Sequence, residues 1–137
     1  MPVERLLVDT NVLVRFFSGE PPDMAARSRR LVERADAGEI VLVVVPVILA
    51  ETFYTLESFY ELDGKLVAAR LVSFLNCRGI DALEKGRLLD ALGRCESDGT
   101  HFADAFLAAV AIDNDQPIAS FDRDFDAFRN VRRIEPN

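Results

Sequence analysis

The chain has one histidine, two cysteines and, although it is rich in arginine, only two lysines among its 137 residues. Each scarcity removes a class of chemistry. With His101 as the lone imidazole and no serine or cysteine in a nucleophilic setting, a hydrolytic triad has nothing to build on. Cys77 and Cys95 have neither a nearby histidine nor a second cysteine pair, so the spacing offers no zinc site. Two scattered thiols suit a reducing compartment and read as semi-buried apolar filler. Long apolar runs are missing as well. The longest, IVLVVVPVILA, has 11 residues and contains Pro46, whereas a membrane helix needs about 20. No basic segment leads into an apolar stretch near the start, so neither a secretory signal nor a membrane partner is expected, and a cytoplasmic location is. With 7 glycines and 6 prolines, and neither repeat nor low-complexity tract, one domain over 1–137 is expected.

Charge is where the chain is not poor. The formal net charge of −7 taken alone argues against a nucleic-acid partner, because phosphate binding normally rests on a basic surface. The objection weakens if four of the 23 acids are metal ligands, which leaves −3 for the remaining surface. Arginine outnumbers lysine 14 to 2, and its planar fork suits phosphate or carboxylate equally.

Periodicity gives the order of elements. VERLLVD reads as a short buried strand and TNVLVRFF as a helix with Val12, Phe16 and Phe17 on one face, broken by Gly19 and Pro21–Pro22. From an N-cap at Asp23 a second helix runs to Gly38. IVLVVV has no polar alternation, the signature of a strand covered on both faces. Pro46 opens the helix VILAETFYTLESFYEL, and two more follow in KLVAARLVSFLN and ALEKGRLLDALGRCE. A further helix starts from Thr100 as N-cap, with Ala103, Phe106, Leu107 and Val110 on its apolar face. PIAS and VRRIEP close the chain as strands. Strands alternating with helices predict an α/β fold, a three-layer α/β/α sandwich with a mostly parallel central sheet.

In such sheets ligands gather beyond the carboxyl ends of the strands, and four acids fall there: Asp9, Glu51, Asp104 and Asp122. Two carboxylates about 5 Å apart repel by roughly 3 kcal/mol at an effective dielectric of ~20. Four make six pairs, and a repulsion on the order of 10 kcal/mol rivals a domain's whole stability of ~5–15 kcal/mol. Protons or cations must relieve it. Oxygen-only ligation selects a hard divalent ion, Mg²⁺ or Mn²⁺, which suits phosphoryl chemistry.

The segments LLVDTNVLV, PVILAETFYTL with Glu51, HFADAFLAAVA with Asp104 and IASFDRDF together resemble PIN-domain ribonucleases, most closely VapC-type toxins of toxin–antitoxin pairs. The match runs nearly end to end and in order. The resemblance implies a catalytic and metal-binding centre of Asp9, Glu51, Asp104 and Asp122 around one or two Mg²⁺ or Mn²⁺ ions. Thr10, Asn11 and Ser120 fit its supporting polar positions, where Thr10 or Ser120 would hydrogen-bond a ligand carboxylate or a water. It also implies an endoribonuclease that uses a metal-activated water on an RNA substrate and leaves a 3′-hydroxyl, with a cognate antitoxin and a homodimer as assemblies.

Other residues have plainer readings beside these. Asp9 also suits a helix N-cap, and Asp104 the positive end of its helix. The neighbours of Glu51 at helical spacing, Val47, Ile48, Tyr54 and Thr55, are mostly apolar, which makes a merely exposed acid an awkward explanation. DRDFD fails as an EF-hand, with Ala127 at the sixth position and Arg133 at the twelfth. Asp122 is nearest the strand end, Asp124 is a supporting candidate through water, and Asp126 reads as a solvated or capping acid. His101 reads as solvent-facing. Arg15 and Arg123 could reach substrate phosphates, with surface salt bridges the plainer role. The apolar circumference of the Glu51 helix, including Leu49, Phe53, Leu56, Phe59 and Tyr60, calls for either a larger core or a partner. The alternatives are a small phosphohydrolase or receiver-like domain phosphorylated on Asp9, against which Asn11 stands where a second acid is expected, and a non-catalytic PIN-like binding module.

Overall fold

Parallel pairing around one wholly apolar strand organises the chain. The computed structural model describes residues 2–137. It runs through β1 (Glu4–Leu7), α1 (Thr10–Ser18), α2 (Pro22–Asp36), β2 (Ile40–Val44), α3 (Pro46–Ser58), α4 (Gly64–Leu75) and β3 (Ile80–Ala82). It continues with α5 (Lys85–Asp98), α6 (Phe102–Asn114), β4 (Ile118–Ala119), a 3-10 helix (Arg123–Ala127) and β5 (Arg133–Ile134). The central strand is β2, with β1 on one side in the register Leu6↔Leu42 and β3 on the other with Leu42↔Ile80, all parallel. Ile40, Leu42, Val43 and Val44 are buried, as the absence of polar alternation requires of a strand covered on both faces. The fold is thus a helix-rich α/β arrangement with a parallel sheet. No helix among the described residues is long and apolar enough to cross a membrane.

The helices enclose a single large core in which Leu13, Leu49, Leu56, Leu71, Leu88 and Leu92 are buried almost completely. Phe16 and Phe17 of α1 meet Phe74 of α4 with ring centroids 5.7 and 5.4 Å away. Gly79, ahead of β3, is held at φ +79°, and a Cβ there would run into the carbonyl oxygen of Ala35. Only glycine accepts both conditions, and its carbonyl accepts from the Leu42 N–H at 2.8 Å.

The sheet is interrupted. β4 and β5 pair in parallel with each other, Ile118↔Arg133, and make no ladder with β1. They have their own small cluster of Ala111, Ile118 and Phe125, with Phe128 and Val131 packed against it. The molecule exposes 8193 Å², more than the roughly 7,100 Å² that size scaling gives for a compact chain of this length.

Several sequence expectations shift. The opening strand is shorter than VERLLVD and is not buried: with no strand on its outer side, Leu7 is 76% exposed. Strand β3 lies in the gap between two predicted helices and overlaps the second only at Ala82; the sequence reading places no strand there, because IDA is too short for alternation to register. Asp23 lies in the first turn of α2 behind Pro22, with Pro21 as N-cap. His101, not Thr100, holds the N-cap position of α6, and its side chain makes no cap hydrogen bond. The buried face of α6 is Phe102, Ala105, Ala108 and Ala109, with Leu107 outward. Small side chains face inward there because α6 packs along α5, where close approach favours alanine. The Glu51 helix stops at Ser58, and Phe59 beyond it is exposed.

Of the two thiols, Cys95 is buried in α5 as expected of filler, while Cys77 is exposed. Burial, with the Glu57 charge adding to it, pushes the Cys95 thiol up to about 12, so its reactive thiolate is scarce at neutral pH. Iodoacetamide at pH 8 should therefore modify Cys77 alone, and Cys95 should react only after unfolding in urea. Native labelling of both, read by mass spectrometry, would overturn this packing.

Candidate functional site

Because β1 and β2 are parallel, with the Val8 N–H donating to Val43 O at 3.1 Å, they release the chain at the same edge. Asp9 stands there in the N-cap position of α1, with φ −89° and ψ 157°. An N-cap aspartate ordinarily accepts from an amide of the first helical turn. This one makes no side-chain cap hydrogen bond, so the capping role leaves its exposed carboxylate uncommitted. Beside it Thr10 is buried and its Oγ1 has no hydrogen-bond partner. An unmatched buried hydroxyl costs about 1–3 kcal/mol.

Glu51 lies five residues after Pro46 at the start of α3, about 7.5 Å along the helix axis. It is exposed, and so are its helical neighbours Val47 and Tyr54, at 69% and 68%. Apolar neighbours therefore did not signal burial here: α3 turns Leu49, Phe53 and Leu56 inward and the strip Val47–Glu51–Tyr54 outward. Phe53 stacks on Phe102, centroids 5.7 Å apart and planes at 24°, which fastens the start of α6 to α3. Glu51, Tyr54, His101 and Phe102 line a groove of about 380 Å³. Asp104, half-buried in the first turn of α6, faces a neighbouring depression of about 520 Å³ with Asp98, His101 and Asp124. His101 is exposed, as expected, and borders both.

Asp122 is placed differently. It follows β4 on the second sheet and caps the 3-10 helix, its Oδ1 accepting from the Asp124 N–H at 2.8 Å. Ser120 Oγ accepts from the Asp122 N–H at 2.9 Å, which fixes the loop. Asp126 is engaged by Arg133 through two hydrogen bonds of 3.0 and 3.2 Å. Asp104 and Asp124 line one depression, while Asp122 lies in the loop that Ser120 fixes. Asp9, Glu51, Asp104 and Asp122 form no ion pair with arginine or lysine among the described residues. Nor do any three His, Cys, Asp or Glu side chains among the described residues converge closely enough to hold an ion. In donor chemistry the set still fits a hard divalent cation: carboxylates and hydroxyls, no sulfur, and an orphaned hydroxyl at Thr10.

Sequence reasoning assigned Arg15 first to surface salt bridges. It makes none among the described residues. Its Nη1 donates to the Tyr60 hydroxyl at 3.2 Å, and its buried Nε has no acceptor. The signal was its place one turn beyond Asn11, on the same helix face.

The family model described as PIN domain matches residues 6–131. Among solved structures, the crystal structure of VapBC2 from Rickettsia felis bound to a DNA fragment from their promoter is 14% identical over 96% of this chain and 98% of that chain, with a TM-score of 0.38. No curated protein matches significantly.

The Arg133 guanidinium, which also donates to Ser120 O at 3.1 Å, ties β5 to both the β4 end and the 3-10 helix. It holds the Asp126 carboxyl below the usual carboxylate range. A depressed folded pKa contributes stability above the unfolded value of about 3.9 and loses it as pH falls through the lower folded value. Arg133→Gln should therefore reduce hydrogen-exchange protection of the Ile118 and Ser120 amides severalfold while sparing β2. Acidifying the wild type from pH 5 toward 2 should do the same. Equal loss in β2 and β4 would show that the second sheet does not open by itself.

Proposed function

Since this chain belongs to the PIN-domain family, whose members are generally nucleases, we propose that it is a cytoplasmic, metal-dependent endoribonuclease of VapC type, the toxin of a toxin–antitoxin pair. The observation that carries this reading is the uncommitted Asp9 carboxylate at the shared edge of two parallel strands, next to the unpartnered Thr10 hydroxyl. Asp9, Glu51, Asp104 and Asp122 would hold one or two Mg²⁺ or Mn²⁺ ions, with Asp124 a further candidate through its place beside Asp104. When bound, the cation supplies Lewis acidity at a phosphoryl oxygen and acidifies water.

The chain's own residues do the positioning. The N-cap backbone fixes the direction of Asp9, and Thr10 can donate its hydroxyl proton to a carboxylate or a water beside it. Asn11, exposed on the first turn of α1, is free to donate its side-chain amide to an RNA phosphate or sugar. Ser120 holds the Asp122 loop through its amide hydrogen bond. In-line attack of water on phosphorus would break the P–O3′ bond, giving a 5′-phosphate on one fragment and a 3′-hydroxyl on the other.

Restraint follows from the surface around Glu51. Val47, Tyr54 and Phe59 are exposed large apolar residues, and a protein segment covering the first two would cover Glu51 as well. An antitoxin bound there would shield the acids from RNA, and a homodimer is the other assembly this reading carries.

Purified wild type should cleave single-stranded RNA with Mn²⁺ or Mg²⁺, stop in EDTA and recover on metal return. Asp9→Asn and Asp104→Asn should each lower the rate by more than about a hundredfold, since loss of a ligand exceeds the usual effect of its supporting partners, with the unfolding midpoint nearly unchanged. Full activity in Asp104→Asn, or cleavage that persists in EDTA, would remove the metal centre from the account.

A further inference from the structure

Between α1 and α2 lies a pocket of about 440 Å³ that the acidic centre does not use. Its polar side is Asn11 and Arg15 from α1 with Arg27 and Ser28 from α2; its apolar side is Val12 with Met24 and Leu31. Acids take up little of the charge on the polar side among the described residues. Among the described residues Arg15 meets only the neutral Tyr60 hydroxyl and keeps a buried, unpartnered Nε. Arg27 has a single acid contact, to Asp23, at 3.9 Å, too long for a hydrogen bond. Two guanidiniums without firm acid partners in a chain of net charge −7 mark a local reversal of sign. The guanidinium fork pairs with phosphate through two parallel hydrogen bonds.

The position extends the active-site reading. Arg15 is six residues beyond Asp9, about 9 Å along α1, and shares a helix face with Asn11. That separation is one a neighbouring nucleotide of a single strand can span. We infer that this pocket is the subsite for a nucleotide flanking the scissile phosphate: its phosphate lies against Arg15 and Arg27, and its base lies against Val12, Met24 and Leu31. The inference rests on the ribonuclease reading and names where that substrate is gripped. Arg15 and Arg27 are binding residues and take no part in the chemical step.

The test uses the intact protein in two measurements. In the first, ¹⁵N-labelled protein in EDTA is titrated with adenosine 5′-monophosphate, uridine 5′-monophosphate, adenosine, inorganic phosphate and a capped Asp-Glu peptide. The nucleotides should shift the amides of Val12, Arg15, Met24 and Ser28 at lower concentration than adenosine, phosphate or peptide. In the second, Mn²⁺-supported cleavage of single-stranded RNA should show KM raised about tenfold in Arg15→Ala, the loss of one charge-assisted hydrogen bond, with kcat within about twofold. Arg15→Lys should recover part of the loss. Arg27→Glu, on an exposed side chain that the fold does not need, should raise KM at least as much.

RNA cleavage with KM unchanged in both Arg15→Ala and Arg27→Glu would overturn the subsite and leave the ribonuclease reading standing. A peptide that shifts the same amides at lower concentration than the nucleotides would overturn it in favour of an acidic protein segment. Nucleotide shifts in the pocket of a protein that cuts no RNA would remove the nuclease and, with no scissile phosphate left to flank, the subsite with it.

Discussion

The shared direction of β1 and β2 is the constraint on which the site depends. A parallel pair delivers both chain exits to one edge of the sheet, so the residue that leaves β1 and the helix that follows β2 have to meet the same solvent region. The apolar composition of β2 keeps it in the middle of the sheet, because both of its faces are covered. Asp9 and α3 inherit their positions from that pairing. The Phe53–Phe102 stack then passes it on to α6 and Asp104.

The second sheet is attached by other means. A three-residue buried cluster and the Arg133 contacts to Asp126 and Ser120 hold β4 and β5 together, while α6 connects them to the main body. A two-stranded sheet is marginal without support from a helix, and here Ala111 at the end of α6 provides it. Asp122 therefore belongs mechanically to the second sheet, whereas Asp9, Glu51 and Asp104 belong to the first core.

Much of this was readable from residue order. The alternation of strands and helices, the buried character of β2, the start of α3 at Pro46 and the helix break at Gly19 all followed from local rules, because each is decided within a few residues. The resemblance carried by LLVDTNVLV and HFADAFLAAVA reached the family that residues 6–131 match. What stayed hidden depends on neighbours far along the chain. Leu7 looks like a core residue until its outer side proves to have no strand. Val47 and Tyr54 look buried until α3 is oriented, and Arg15 looks like half of a surface pair until no acid appears beside it. The separation of β4 and β5 from the main sheet has no local signature at all, and neither has the depression that Asp104 shares with Asp124.

The outer rim of β1 has its own outcome for the molecule's behaviour in a crowded solution. Unsatisfied strand rims invite stacking by other chains, and short length and formal charge are the usual deterrents. This rim has four residues, opens with Glu4 and Arg5, and ties Arg5 sideways to Asp81 on β3, leaving Leu7 as its one adhesive spot. Glu4 and Arg5 at the head of the rim thus supply the charge that deters a foreign strand from docking along it.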